Sequence, residues 1–146
     1  MCAQSSETHE GGCFCGAIRY RTVGKPDRVS MCSCEWCTKR TGSAFGISVY
    51  FPEDQIAFLG EDWKTFRLTS DAGRWLETRF CGRCGTTVGW TLEFLPGHCG
   101  VAGGTFDNPK FWYTPQRYGF ARSKPDWLEI PDGLHVFQAM PGSPNE

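Results

Sequence analysis

The sequence predicts a small all-β domain stapled by metal, and three observations carry that prediction. Short runs of alternating, β-branched or aromatic residues recur along the chain, each bounded by glycine, proline or polar turn residues. No stretch shows the apolar period of a long amphipathic helix, and no fixed-length repeat or linker breaks the pattern. Seven of the nine cysteines fall into three clusters, Cys13/Cys15, Cys32/Cys34/Cys37 and Cys81/Cys84, and such clustering favours metal binding over a disulfide framework.

The elements follow in order. Residues 1–10 are polar and are expected to form a mobile tail, with His9 a solvated side chain at its end. Gly11-Gly12-Cys13-Phe14-Cys15-Gly16 reads as a turn whose glycines let the backbone wrap around a point. Ile18, Tyr20 and Thr22 alternate with Arg19, Arg21 and Val23, which makes residues 17–23 a strand. Gly24-Lys25-Pro26-Asp27 turns the chain into a short strand over residues 29–32. Then comes Cys32-Ser33-Cys34-Glu35-Trp36-Cys37, three thiols within six residues. A continuous strand or helix would scatter them, so a tight loop is expected, with a helical turn or loop over residues 38–43. Strands are expected at 44–51, 55–59, 64–68 and 74–80, followed by a Cys81-Gly82-Arg83-Cys84-Gly85 knuckle. Residues 86–94 are β-rich, and 98–106 form a glycine-rich strand with close backbone approaches. From residue 107 the chain carries most of the prolines and aromatic bends, and it is expected to pack as an extended segment over the sheet. One domain over residues 11–140 and a loose tail over 141–146 complete the reading.

The totals exclude several classes. A formal net charge of -1 offers no basic face for non-specific nucleic-acid binding. No apolar run reaches the length of a membrane span, and the polar N-terminus has neither the basic nor the apolar region of a signal peptide. The expectation is a cytoplasmic protein, where disulfides are disfavoured.

The clusters then divide by ligand count. Cys13-x-Cys15 and Cys81-x-x-Cys84 are each half of a tetrahedral site, and paired they make a closed four-thiolate structural zinc. Cys81/Cys84 also has the spacing of a redox dithiol, without the strand–motif–helix setting such a site requires. Cys32, Cys34 and Cys37 supply only three ligands. Cys2, His9, His98 or Cys99 can close that sphere into a second structural site; otherwise its fourth position is open to water or substrate, as in catalytic zinc. Three thiolates more than neutralise a divalent metal, which weakens it as an activator of water and suits it to hold a soft ligand, such as a substrate thiol, as the thiolate.

These residues carry a resemblance to the glutathione-dependent formaldehyde-activating enzyme family. The matching stretches are Gly12-Cys13-Phe14-Cys15-Gly16 with Arg19-Tyr20, Cys32 through Ser43, Phe80-Cys81-Gly82-Arg83-Cys84-Gly85-Thr86, and the later Pro125-Asp126-Trp127 and Asp132-Gly133-Leu134. The resemblance implies a fold similar to that of methionine-R-sulfoxide reductases. It implies two zinc ions per chain, a structural one on Cys13, Cys15, Cys81 and Cys84 and a catalytic one on Cys32, Cys34 and Cys37. The implied activity is that of a carbon–sulfur lyase run in reverse, condensing formaldehyde with glutathione. Many relatives carry His where this chain has Ser33, and two arginines where it has Lys39-Arg40.

Three functions stand side by side at this level. The first is an enzyme joining or cleaving a C–S bond between a small thiol and a small aldehyde, with Lys39 or Arg40 meeting a substrate carboxylate, or else forming a solvated basic turn. Trp36 covers the site or packs in the core, and Ser33 is a loop residue. The second is a zinc-stapled binding module with a closed second site. The third is a thiol redox enzyme with Cys99 as nucleophile beside His98, set against the commoner case of an inert buried cysteine.

Overall fold

The computed structural model describes residues 7–69 and 73–139. Its described residues form a two-sheet β structure with one short helix. The strands are β1 (Thr8–Gly12), β2 (Arg19–Val23), β3 (Arg28–Cys32), β4 (Gly46–Pro52), β5 (Ile56–Leu59), β6 (Trp63–Thr69), β7 (Trp75–Cys81), β8 (Thr87–Leu92), β9 (His98–Ala102), β10 (Arg117–Gly119) and β11 (His135–Val136), and the helix is α1 (Glu35–Thr41). β1, β2 and β5 make a small antiparallel sheet, and the other strands run in the order β11-β10-β3-β4-β9-β8-β7-β6. Among the described residues no helix is long and apolar enough to cross a membrane.

Alternation decides which residues meet. Ile18 and Tyr20 from the small sheet pack with Val29, Val49, Phe51 and Val101 from the large one, and this inter-sheet core is fully buried. The other face of the large sheet receives Leu76, Trp90, Leu92 and Ala102, with Trp36 of α1 laid over them. Between Arg79 and Phe80 the β7–β8 register slips by one residue, leaving Val88 extra. That bulge lets Val88 face the inter-sheet core while Trp90 faces the second cluster.

The strand at Thr8 corrects the N-terminal expectation. Residues 8–10 lie inside the stretch read as tail, yet they pair in register with Val23, Thr22 and Arg21. Their polarity reflects an edge strand of a sheet solvated on one side, which composition alone does not separate from a tail. His9 is not a solvated side chain either: its ring stacks on Trp112 at 3.5 Å and bonds Glu7 at 2.8 Å. Residues 1–6, including Cys2, and 140–146 lie outside the described residues. The segment after residue 107 does add to the large sheet, through β10 beside β3 and β11 beside β10.

Candidate metal centres and their cavity

Two turns from opposite sheets build the first centre. Cys13 leaves β1, and a bond from the Gly16 amide to the Cys13 carbonyl at 3.2 Å closes its turn. Cys81 ends β7, and the Gly85 amide donates to its carbonyl at 2.9 Å. Both closures need positive φ, 84° at Gly16 and 81° at Gly85, which glycine adopts without a Cβ clash. The Phe14 amide donates to the Thr86 hydroxyl at 3.2 Å and ties one turn to the other. The four sulfurs of Cys13, Cys15, Cys81 and Cys84 lie within 4.8 Å of one another. Cys15 Sγ stands 3.7 Å from both Cys13 Sγ and Cys81 Sγ. A tetrahedron with metal–sulfur bonds of about 2.3 Å has edges of about 3.8 Å, so this donor set fits zinc. Amides also point at the sulfurs: Ile18 donates to Cys13 Sγ at 3.3 Å, and Arg83 and Cys84 to Cys81 Sγ at 3.3 and 3.4 Å. Thr86 draws the Cys84 thiol down to about 5. Such donors favour thiolates.

The triple cluster is not a loop. Cys32 is the last residue of β3, Cys34 is the N-cap of α1 and Cys37 sits in its first turn. The strand-to-helix junction changes the side-chain period just where it is needed, so the sulfurs converge to within 4.8 Å although neither element alone would bring them together. The Cys37 amide donates to Cys34 Sγ at 3.4 Å and the Cys34 amide to Cys32 Sγ at 3.4 Å. Gly42, left-handed at φ 62°, ends the helix after two turns. Hydrogen bonds from the thiols of Cys32 and Cys37, helped by the amides of Cys37 and Trp36, lower Cys34 to about 3 against the opposing effect of burial. The bond to Cys34 in turn pushes Cys32 up to about 12, and Cys32 and Cys34 together raise Cys37. The hydrogen bonds among the three thiols therefore favour charge on Cys34 over Cys32 and Cys37.

Ser33 is buried between the thiols and is no bystander. Its hydroxyl donates to the Ala44 carbonyl at 2.9 Å and meets Tyr118 Oη at 2.5 Å, binding the cluster to β4's approach and to β10.

Among the described residues no fourth His, Cys, Asp or Glu joins this cluster. His98 bonds Asp27 at 2.8 Å, His9 stacks on Trp112, and the buried Cys99 donates toward the Gly100 carbonyl at 3.6 Å. Burial also pushes the Cys99 thiol up to about 11, which suits an inert cysteine better than a nucleophile. Instead, the sulfurs line a cavity of about 400 Å³ on the face of the large sheet. Trp36, Trp75 and Phe94 supply apolar wall, and Arg28, Tyr50 and Arg117 supply polar groups. Trp36 thus does both things foreseen for it, lining the cavity while packing edge-on against Trp90 at 4.8 Å.

The basic pair separates. Lys39 lines the cavity, but Arg40 does not: its guanidinium lies between Trp36 and Trp90, 5.0 and 4.5 Å from their ring centres. Arg28, Tyr50 and Arg117 were not singled out from sequence. Arg28 had a local signal, since it shares a strand face with Ser30 and Cys32 at two-residue steps. Arg117 had none, because only the β10–β3 pairing brings it opposite Ser30.

Comparison with known proteins now decides the family. The profile of the family described as "Glutathione-dependent formaldehyde-activating enzyme" matches residues 8–123. The chain belongs to this family. A Halomonas elongata protein named "Putative glutathione-dependent formaldehyde-activating enzyme" is 27% identical, over 94% of this chain and 89% of its own length. The crystal structure of a Rhodobacter sphaeroides protein shares the fold, with a TM-score of 0.52 at 16% identity over 88% of this chain and 98% of that one. The match to the formaldehyde-activating family spans both cysteine centres and the cavity strands β3, β4, β8 and β10.

Proposed function

We propose that this chain is a zinc-dependent enzyme of carbon–sulfur lyase type that joins a small thiol, glutathione or a relative of it, to formaldehyde. The observation that carries the reading is the convergence of Cys32, Cys34 and Cys37 in the wall of a cavity, with no fourth protein ligand among the described residues. Cys13, Cys15, Cys81 and Cys84 hold a structural zinc in this reading, and Cys32, Cys34 and Cys37 a catalytic one. Cys32, Cys34 and Cys37 would hold that zinc, which when bound would favour the thiolate form of a substrate thiol. The apolar walls from Trp36, Trp75 and Phe94 limit water around that sulfur. In the reaction a sulfur–carbon bond forms, the carbonyl π bond opens, and the proton lost by the thiol ends on the former carbonyl oxygen. Tyr50 lines the same cavity, with its hydroxyl accepting from the Trp90 indole at 3.3 Å, and is the candidate donor for that oxygen.

The same reading gives the fold a kinship with methionine-R-sulfoxide reductases. It sets the chemistry within a single domain over residues 11–140, widened to include β1. It also places the enzyme in a reducing, cytoplasmic setting, in keeping with eight free cysteines among the described residues. The test has two parts. Elemental analysis of the purified chain is expected to find two zinc ions per chain. Carbon-13 NMR of labelled formaldehyde with glutathione is expected to show faster adduct exchange with the wild type than without protein, and no gain with Cys34→Ser. X-ray absorption showing four protein ligands at both metals, unaltered by millimolar thiol, would overturn the enzymatic reading in favour of a binding module.

A further inference from the structure

Three cations line the cavity, Arg28, Lys39 and Arg117, and none of them forms an ion pair among the described residues. Arg117 Nε is buried without a hydrogen-bond partner. Burial lowers the Arg117 guanidinium below its ordinary range, and repulsion from Arg28 adds to that. Two like charges kept together in a partly desolvated wall are costly unless something anionic joins them. Glu35 is the one carboxylate among the lining residues, and it makes no ion pair with either arginine. The Arg117 guanidinium carbon lies over the Phe137 ring, 5.7 Å from its centre.

The register places this pair relative to the thiols. Arg28, Ser30 and Cys32 occupy one face of β3, and Arg117 is the parallel partner of Ser30. At about 3.3 Å per strand residue, the arginine backbones stand two to four residues from Cys32, about 7–13 Å along the sheet. A peptide-like thiol with a terminal carboxylate spans that interval.

We infer that Arg28 and Arg117 form a carboxylate subsite that selects an anionic, peptide-like thiol and orients its sulfur toward Cys32, Cys34 and Cys37. The inference rests on the thiol reading above and names the specificity of the same cavity. It moves the carboxylate contact from the Lys39-Arg40 pair to two residues brought together by strand pairing. Arginine at both positions allows bidentate capture, which Lys39, the third cation of the lining, does not.

Calorimetric titration of the zinc-loaded protein with glutathione and with glutathione diethyl ester tests it. Esterification is expected to weaken binding to the wild type about 10- to 100-fold. Arg117→Gln is expected to weaken glutathione by a similar factor while barely changing the ester, and Arg28→Gln to act in the same direction. Melting curves establish that each variant is folded. Equal losses for glutathione and ester in both variants, indifference of the wild type to esterification, or no binding of either compound would overturn the inference. S-methylglutathione separates this from the reading it rests on. If it binds as tightly as glutathione and depends equally on Arg117, the carboxylate subsite stands and sulfur capture falls. If glutathione perturbs the spectrum of the cobalt-substituted protein yet binds independently of both arginines, sulfur capture stands and the subsite falls.

Discussion

Replacing Cys81 by serine is expected to destabilise the whole protein much more than replacing Cys34. Cys15 and Cys81 are 66 positions apart, and their sulfurs meet at 3.7 Å in a centre that joins the small sheet to the large one. Treated as a cross-link, closure of a loop that long removes about 4 kcal/mol of chain entropy from the unfolded state. A domain near this size loses about 2–4 °C of melting temperature per kcal/mol, so Cys81→Ser is expected to melt about 8–16 °C lower. Cys32 and Cys37 lie in one strand–helix junction whose geometry the backbone already sets through the N-cap and Gly42. Closing so short a span contributes at most about 2 kcal/mol. Cys34→Ser is therefore expected to lose one zinc per chain and no more than about 8 °C. The assay is thermal melting followed by circular dichroism on protein of measured metal content, repeated with a chelator. Chelation should pull the wild type toward the Cys81→Ser curve. A Cys81→Ser protein that melts with the wild type, or a Cys34→Ser protein that melts below it by the larger interval, would refute the assignment of a stapling role to the four-sulfur centre.

Three further outcomes are expected. Ser33→Ala removes the bond to Ala44 and leaves the buried Tyr118 hydroxyl unpaired, so urea unfolding should show a loss of about 1–3 kcal/mol, and an unchanged midpoint would contradict that role. A Cβ at Gly100 would run into the Trp90 indole and the Tyr50 ring, so Gly100→Ala should cost about 1–3 kcal/mol by the same measurement; a neutral result would show that the second core yields. In metal-free protein at pH 7, Cys34 is ionised while Cys32 and Cys37 hold their protons, so zinc uptake at this cluster should release about two protons, read with a pH indicator. Release of three, or of none, would refute that charge distribution. The lowered Cys34 fixes the sign of its contribution to metal-free stability: it is complete above its ordinary value near 9 and is lost as pH falls toward about 3.

Local signals made much of this molecule legible. The alternation of Ile18, Tyr20 and Thr22, and of the residues along β4 and β7, sets a two-residue period that places each strand near its observed bounds. Cysteine spacing picked out seven sulfurs, and the structure gathers them into the same two groups of four and three. Spacing succeeds there because each pair or triple lies in one turn or junction, and its members cannot separate far. It did not show how three sulfurs converge at Cys32, Cys34 and Cys37, since a junction of strand and helix has no single period to read. Polarity misread Thr8–Glu10, whose partners lie across a sheet edge. The cavity is the property that tertiary structure alone decided. Arg117 reaches it because β10 returns to pair with β3 across more than eighty residues, while Arg40, adjacent to Lys39, is turned away and held between two tryptophans. Which cations face the thiols depends on strand order and helix rotation, and these follow from the burial of Trp36, Trp90 and the inter-sheet core, not from any charge in the chain.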